Sequence, residues 1–227
     1  AEPLIVHGFG DRRSRAARVA ELLRHVGLEA DVARRYPVAF SGGQRQRIAI
    51  ARALALKPQL LICDEAVSAL DVSVQAQILN LINDIKREMS LGVLFITHDL
   101  GVVRRFADRV AVMHAGRIVE STPPRDLFAR PLHPYTKSLL SAAPEPSQAR
   151  GTRIERVRLV GGPVSPLDTP TGCIFASRCP RFLEGVCSAD DPALLPKEPG
   201  HDVACHRVDD LASRSPQPPI ALATGGS

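Results

Sequence analysis

The chain has 227 residues, of which 44% are apolar, 4% aromatic and 23% charged, with a formal charge of +5. That apolar share suits one large folded domain, or one domain with an appendage, and speaks against a chain that stays unfolded. No apolar run reaches the roughly 18 residues of a membrane-spanning helix. No secretory signal is read in the sequence, and scarce aromatics without any reader motif argue against a nucleic-acid partner.

The first long element predicted is a helical stretch over residues 11–36. Val19, Leu22, Leu23 and Val26 share one apolar face, and Gly27 stops the run. The densest basic group of the chain, Arg12, Arg13, Arg15 and Arg18, falls here and reads as a solvated helix face. Arg34-Arg35-Tyr36-Pro37 then leads into a turn.

Three signals follow in fixed order between Phe40 and Asp99. Ser41-Gly42-Gly43-Gln44 opens an uninterrupted helix running to Leu54. Ser41 can cap it, the two glycines let a ligand approach the backbone, and the free N–H groups with the positive dipole end make an anion site. Leu60-Leu61-Ile62-Cys63 is a short apolar run that suits a strand buried on both faces of a parallel sheet. It ends in Asp64-Glu65, where open α/β sheets place ligands. Asp64 could hold Mg²⁺, which prefers oxygen donors; Glu65 could orient and deprotonate a water. Val93 to Ile96 is a second strand, with His98 just past its end. Ile78, Leu81, Ile82 and Ile85 recur at helical spacing between the strands. The strand–helix–strand unit predicts a parallel crossover, with Asp64, Glu65 and His98 at one sheet edge.

Beyond His98 the chain predicts a helix around Leu100–Ala107. Two strands follow, 109–113 and 117–119, joined by His114-Ala115-Gly116, in which His114 reads as a turn residue. Residues 125–142 are helical again, interrupted at Pro131 and Pro134. Residues 143–153 read as a linker, and the chain after Leu211 reads as disordered.

SGGQRQRIAIARAL resembles the signature motif of ABC-type ATPases, LLICDE their Walker B strand, Ser68-Ala69-Leu70-Asp71 their D-loop, and His98 their switch histidine. DVSVQAQILNLI, LHPYTKSLLSA, GGPVSPLD and GCIFASRCP with a final ACH further resemble the ATPase subunits of oligopeptide and dipeptide importers. The similarity runs to about Asp210. It implies an α/β fold: a partial P-loop ATPase domain over 1–122 with its helical subdomain, a peptide-importer extension over 123–210, and a tail over 211–227. It also implies a subunit that hydrolyses ATP with Mg²⁺ to energise peptide uptake. Such a subunit sits peripherally on the cytoplasmic face of the inner membrane. Its partners would be a second ATPase subunit in a head-to-tail dimer, two membrane permeases and, indirectly, an extracytoplasmic peptide-binding protein. In that arrangement Ser41, Gly42, Gly43 and Gln44 contact the γ-phosphate held by the partner. Asp64, Glu65 and His98 serve the nucleotide of their own chain, and Asp71 communicates across the dimer.

One departure bears on all of this. No G-x-x-x-x-G-K-[ST] occurs in the 227 residues, so the phosphate cradle and its lysine are absent from them. The family's glutamine-bearing loop is also missing. AEPLIVHG resembles the segment just after it, and the expectation is the carboxyl-terminal part of a longer protein. Two alternatives stand beside the transporter reading: an ABC-type ATPase acting on DNA or ribosomes, and a non-catalytic partner or metal-binding appendage.

Of the five cysteines, Cys63 lies in the apolar strand and reads as a small hydrophobe. Cys173, Cys179, Cys187 and Cys205 cluster in the tail with gaps of five, seven and seventeen residues. A reducing compartment gives disulfides little use, and four thiols together predict a metal site. None of the gaps is the short spacing of common zinc sites. Wider, uneven spacing suits a bulkier iron–sulfur cluster of the 4Fe–4S type, with zinc as the alternative and free thiols or disulfides still open. His201 and His206 are spare nitrogen ligands that read as bystanders.

Overall fold

The computed structural model describes residues 1–142 and 171–209. The predicted linker over 143–153, the GGPVSPLD segment and the tail over 211–227 lie outside them. The chain divides into two compact units, Ala1–Asp99 and Leu100–Ser227. No helix among the described residues is long and apolar enough to cross a membrane.

The first unit is α/β. Helix α1 (Glu2–Val6) is followed by α2 (Arg12–His25). Asp11 caps α2 by accepting the Ser14 N–H at 2.7 Å. The predicted stretch over 11–36 is not one helix: Gly27 turns left-handed at φ +71°, and only a short 3₁₀ segment, Ala30–Arg34, follows. Leu22, Leu23 and Val26 are buried as their spacing predicts. Arg18 corrects the reading of a solvated basic face. It is buried, its guanidinium donating to the Leu54 carbonyl (3.3 Å) and pairing with Glu21 (2.8 Å). A long side chain one turn from Leu22 can lay its stem along the core and keep its head on a carbonyl.

Helix α3 (Gly42–Ala53), strand β1 (Leu60–Asp64), helix α4 (Val72–Met89) and strand β2 (Gly92–Ile96) complete the unit. Strands β1 and β2 pair in parallel from Leu60↔Gly92 to Asp64↔Ile96. Helix α4 buries Ile78, Ile82 and Ile85, so the crossover reading holds in its elements and in its parallel sense. The expectation of a strand buried on both faces does not. Leu61 and Cys63 are buried, while Leu60 and Ile62 on β1, and Leu94 and Ile96 on β2, are exposed. Successive side chains of a strand point to opposite faces, and here only one face of the pair is covered.

The second unit opens with α5 (Leu100–Phe106) and a hairpin of β3 (Val110–His114) and β4 (Arg117–Thr122). Ala115 and Gly116 both have positive φ, as a two-residue turn joining twisted strands requires. Helices α6 (Pro124–Ala129) and α7 (Pro134–Ala142) follow, each with proline in its first turn. The tail then supplies β5 (Leu195–Glu198) and β6 (His201–Val203). With the hairpin they form an antiparallel sheet in the order β3-β4-β6-β5. Val112, Val119 and Leu127 make its core, with Val110, Tyr135, Leu139 and Ile174 packed around them. His114 is not an exposed turn residue. It ends β3, is buried, and stacks 4.4 Å from the Tyr135 ring.

Candidate functional site

The first candidate site lies where β1 and β2 end. Glu65 adopts a left-handed backbone, φ 46°, which is uncommon for a residue with a Cβ and typical of positions held for function. Its N–H bonds to the Ile96 carbonyl at 3.0 Å, which ties the end of one strand to the end of the other. His98 Nδ1 consequently stands 3.1 Å from Glu65 Oε1. Asp64 is adjacent and exposed. The strand–helix–strand pattern thus brings together the three groups that it assigns to one edge. The site is open: the His98 and Glu65 side chains are 75% and 56% exposed. Its donors are oxygen atoms and one imidazole, chemistry that suits a hard cation. Mg²⁺ needs few protein ligands because water and phosphate complete its shell.

The Ser-Gly-Gly-Gln turn folds as a full capping box. Ser41 Oγ accepts the Gln44 N–H at 3.3 Å, and Gln44 Oε1 accepts the Ser41 N–H at 3.0 Å. Gln44 is therefore spent on the helix start. The glycines have a packing reason beside the ligand-approach reason. A Cβ on Gly43 would fall 2.6 Å from Val74 Cγ1, and one on Gly42 would fall 3.4 Å from Leu70. Those neighbours flank Asp71, so the signature turn and the start of α4 lie against each other. Asp71 is the N-cap of α4, accepting from Ser73 N–H (3.1 Å), Val74 N–H (2.9 Å) and Ser73 Oγ (2.7 Å). The Ser73 hydroxyl, then the two N–H groups, hold its carboxyl below the usual carboxylate range.

The second candidate site is a pocket lined by all four tail cysteines, Cys173, Cys179, Cys187 and Cys205, with His133, Pro134, Phe175, Arg181, His206 and Arg207. The Cys173 N–H donates to the Cys187 carbonyl at 2.9 Å, which joins two of the cysteine segments. That approach is possible only because Gly172 has no side chain; a Cβ there would overlap the same carbonyl. A repeated local device surrounds the thiols. The N–H two residues on points at the sulfur in each of three cases: Phe175 to Cys173, Arg181 to Cys179 and Arg207 to Cys205. Such donors favour thiolate. Burial opposes them and prevails, raising the Cys173 and Cys205 thiols and pushing Cys179 up to about 12.

Two observations pull in different directions here. The four thiols face one pocket, yet among the described residues no three ligand-type side chains are grouped closely enough to hold an ion. Facing a pocket needs only orientation, whereas coordination needs sulfurs roughly 2.3 Å from a single point. Thiol sulfurs are donors of the soft-metal type, but as they stand they are not grouped to coordinate one ion. The histidines are engaged elsewhere. His206 Nε2 lies 2.9 Å from the Asp190 carbonyl, and His201 Nε2 lies 2.7 Å from Glu120 Oε1.

Glu120 was not singled out by the sequence. It is fully buried on β4 and also accepts the N–H groups of Leu132 (2.8 Å) and His133 (3.0 Å). A charged residue inside the otherwise apolar and small-polar strand run Ile118 to Thr122 is the signal that could have marked it. Phe175, 1% exposed at the centre of a cluster of His114, His133 and Tyr135 rings, carries no sequence signal of its own.

Residues 4–68 match the family model described as ABC transporter, and residues 119–187 match that of the oligopeptide/dipeptide transporter C-terminal region. The chain is 53% identical over 213 residues to the "Probable peptide ABC transporter ATP-binding protein y4tS" of Sinorhizobium fredii, covering 94% of this chain and 59% of that protein. It is 48% identical over 205 residues to the "Oligopeptide transport ATP-binding protein AppF" of Bacillus subtilis, covering 90% of this chain and 62% of that protein. Among solved structures, an ATP-binding cassette of an ABC transporter in its ADP conformation aligns over 54% of this chain and 49% of that one, with a TM-score of 0.49 at 22% identity. The chain thus spans about three fifths of the length of the curated relatives it matches. Over that span it belongs to the ATP-binding proteins of the oligopeptide/dipeptide ABC transporter family.

Proposed function

We propose that this chain is the larger part of an ATPase subunit that energises uptake of oligopeptides or dipeptides. The observation that carries the reading is the 3.1 Å approach of His98 to Glu65 at the ends of two parallel strands. Its context is the capped Gly-rich turn of α3. Glu65 orients the attacking water and accepts its proton as the water oxygen bonds to the γ-phosphorus, while the bond from that phosphorus to the β,γ-bridging oxygen breaks and ADP leaves. His98 holds the γ-phosphate in line. Asp64 is the residue that would hold Mg²⁺, which supplies charge neutralisation to the phosphates. Catalysis of phosphoryl transfer by positioning and charge asks little more of the protein. Ser41, Gly42 and Gly43 present the α3 N-terminus to a γ-phosphate held by a second ATPase subunit, and Asp71 couples the two sites. The ATPase domain covers 1–122 and the importer extension 123–210. Two permeases and, through them, an extracytoplasmic peptide-binding protein complete the assembly on the cytoplasmic face of the membrane.

Cys173, Cys179, Cys187 and Cys205 are the residues that would hold a 4Fe–4S cluster, or zinc. Supporting this are the shared pocket and the three N–H donors aimed at sulfur. Iron, sulfide and zinc content of anaerobically purified protein decides between them.

The reading is tested by ATP turnover in the assembled importer. Glu65→Gln in the complete subunit should leave nucleotide binding intact and lower turnover by about 10²- to 10⁴-fold. The 227-residue chain by itself should hydrolyse no ATP; Glu65-dependent turnover by that chain alone overturns the assignment.

A further inference from the structure

Helix α4 begins in the run DVSVQAQ. Capping explains Asp71, and burial explains the isoleucines that follow, but neither explains the two glutamines. Both reach away from their own helix. Gln75 is half-buried, and its Nε2 donates to Asp99 Oδ2 at 3.2 Å. A carboxylate accepts and does not donate, so the amide must present its NH₂ group there. Asp99 is the residue after His98, and its N–H donates to Thr97 Oγ1 at 3.0 Å. The loop that carries His98 is thus held on both sides. The Glu65 N–H holds the Ile96 carbonyl on the strand side at 3.0 Å, and Gln75 holds Asp99 on the far side. With the His98 side chain 75% exposed, packing does little to fix the ring. Its approach to Glu65 depends on where the backbone of this loop stands.

A brace works if its other end is anchored. Helix α4 buries Ile78, Ile82 and Ile85. Gln77 accepts from Arg47 Nη2 of α3 at 3.4 Å, and Arg47 Nη1 donates to the Val26 carbonyl, at the C-cap of α2, at 2.7 Å. Gly27 leaves room for that guanidinium, since a Cβ there would fall 2.9 Å from Nη1. Val74, the residue before Gln75, is the one that lies against Gly43. Consecutive residues of a helix point about 100° apart, so the first turn of α4 meets the signature turn with one side chain and the His98 loop with the next.

We propose that Gln75 is a positioning residue for His98, setting the imidazole against Glu65 through Asp99, a role that rests on the reading of Glu65 and His98 as groups acting on the γ-phosphate. A displacement of about 1 Å in such a group can cost roughly 100-fold in rate.

The test is ATP turnover by the assembled importer, with substitutions made in the complete subunit. Gln75→Glu sets a second carboxylate against that of Asp99. It should lower kcat by about 10- to 100-fold and leave the KM for ATP unchanged. Adding Asp99→Asn reverses donor and acceptor and rebuilds the bond. The double variant should recover most of the loss, whereas two independent lesions would multiply. The reversal also excludes repulsion from Asp71 one turn back, which Asp99→Asn leaves in place. If Gln75→Glu does not fold, as circular dichroism would show, Gln75→Leu and Gln75→Lys decide. The leucine variant has no donor and should lose turnover; the lysine variant keeps one and should retain more. Glu65→Gln and His98→Ala are measured beside them. Full turnover with Gln75→Glu, a double variant no better than the single, or equal turnover in the leucine and lysine variants overturns the positioning role, and low turnover in the two controls then leaves the catalytic reading standing. Full turnover in both controls overturns that reading and the positioning role with it.

Discussion

The two units treat their polar groups in opposite ways. In the first, the residues with chemistry to offer are exposed. His98 and Glu65 touch each other and otherwise face outward, while Ser41 and Asp71 are engaged only by the starts of their own helices. In the second, the corresponding groups are enclosed and answered from within. Glu120 is 0% exposed with three partners, and His133 is 1% exposed with its Nδ1 accepting the Tyr135 N–H. An open set of aligned groups is useful only when a ligand or another chain completes it. A closed set does its work with the chain's own atoms. The difference agrees with the proposal that the first unit's groups act in an assembly, while the buried groups of the second serve its own fold.

The comparison breaks most visibly if truncation has the same consequence in both units. His98→Ala in the assembled importer should cut ATP turnover by roughly 100-fold. It should change the melting free energy by no more than about 0.5 kcal/mol, since an exposed side chain has little to lose. His201→Ala should do the reverse. It leaves the buried Glu120 carboxylate without its nearest partner, at a cost of about 3 kcal/mol in chemical unfolding, with turnover per folded subunit unchanged. A His201→Ala protein as stable as wild type, or a His98→Ala protein that unfolds, removes the distinction.

The first unit was the more legible in sequence for the same reason. Its function resides in local runs, each with its own spacing: a cap and two glycines, carboxylates at the end of an apolar run, a histidine past a second run. What was missed there was packing. Arg18 sits one turn from Leu22 and is drawn inside, and one face of β1 stays open, because neither outcome depends on local pattern. In the extension the helices over 124–142 and the grouped cysteines were legible as local patterns, but the sheet that joins the tail to the hairpin was not. Pairing of β4 with β6 joins Glu120 to Val203 across the long tail, and no periodicity over ten residues encodes a contact of that range. His114 looked like a turn residue because it precedes Ala115-Gly116; the rings of Tyr135 and Phe175 that bury it come from elsewhere in the chain.

A milder test uses pH. Burial, then the neighbouring His114, lowers His133 from 6.5 to about 4. Between those values the unfolded chain takes up a proton that the folded chain refuses. The stabilisation is complete above pH 6.5 and is lost as pH falls toward 4, amounting to about 3 kcal/mol at most. Urea midpoints of the metal-free chain should therefore fall through this window. His133→Gln, with nothing to titrate, should remove most of the slope. A slope unchanged by that substitution places the titration on another group.

The smallest effect separates two duties of one atom. Ser41 Oγ caps α3 and, in the proposed assembly, also faces a partner's phosphate. Ser41→Ala removes both functions. It should cost about 1 kcal/mol of stability, and the turnover lost with it cannot be divided between them. Ser41→Asp divides them. A carboxylate caps as well as a hydroxyl and favours the positive end of the helix dipole, so the isolated chain should melt within a few tenths of a kcal/mol of wild type. The same negative charge repels a γ-phosphate brought up to that turn, so turnover of the assembled importer should fall. If Ser41→Asp keeps full turnover, the α3 N-terminus does not meet a phosphate. The open groups of the first unit would then need a different partner from the nucleotide held by a second subunit.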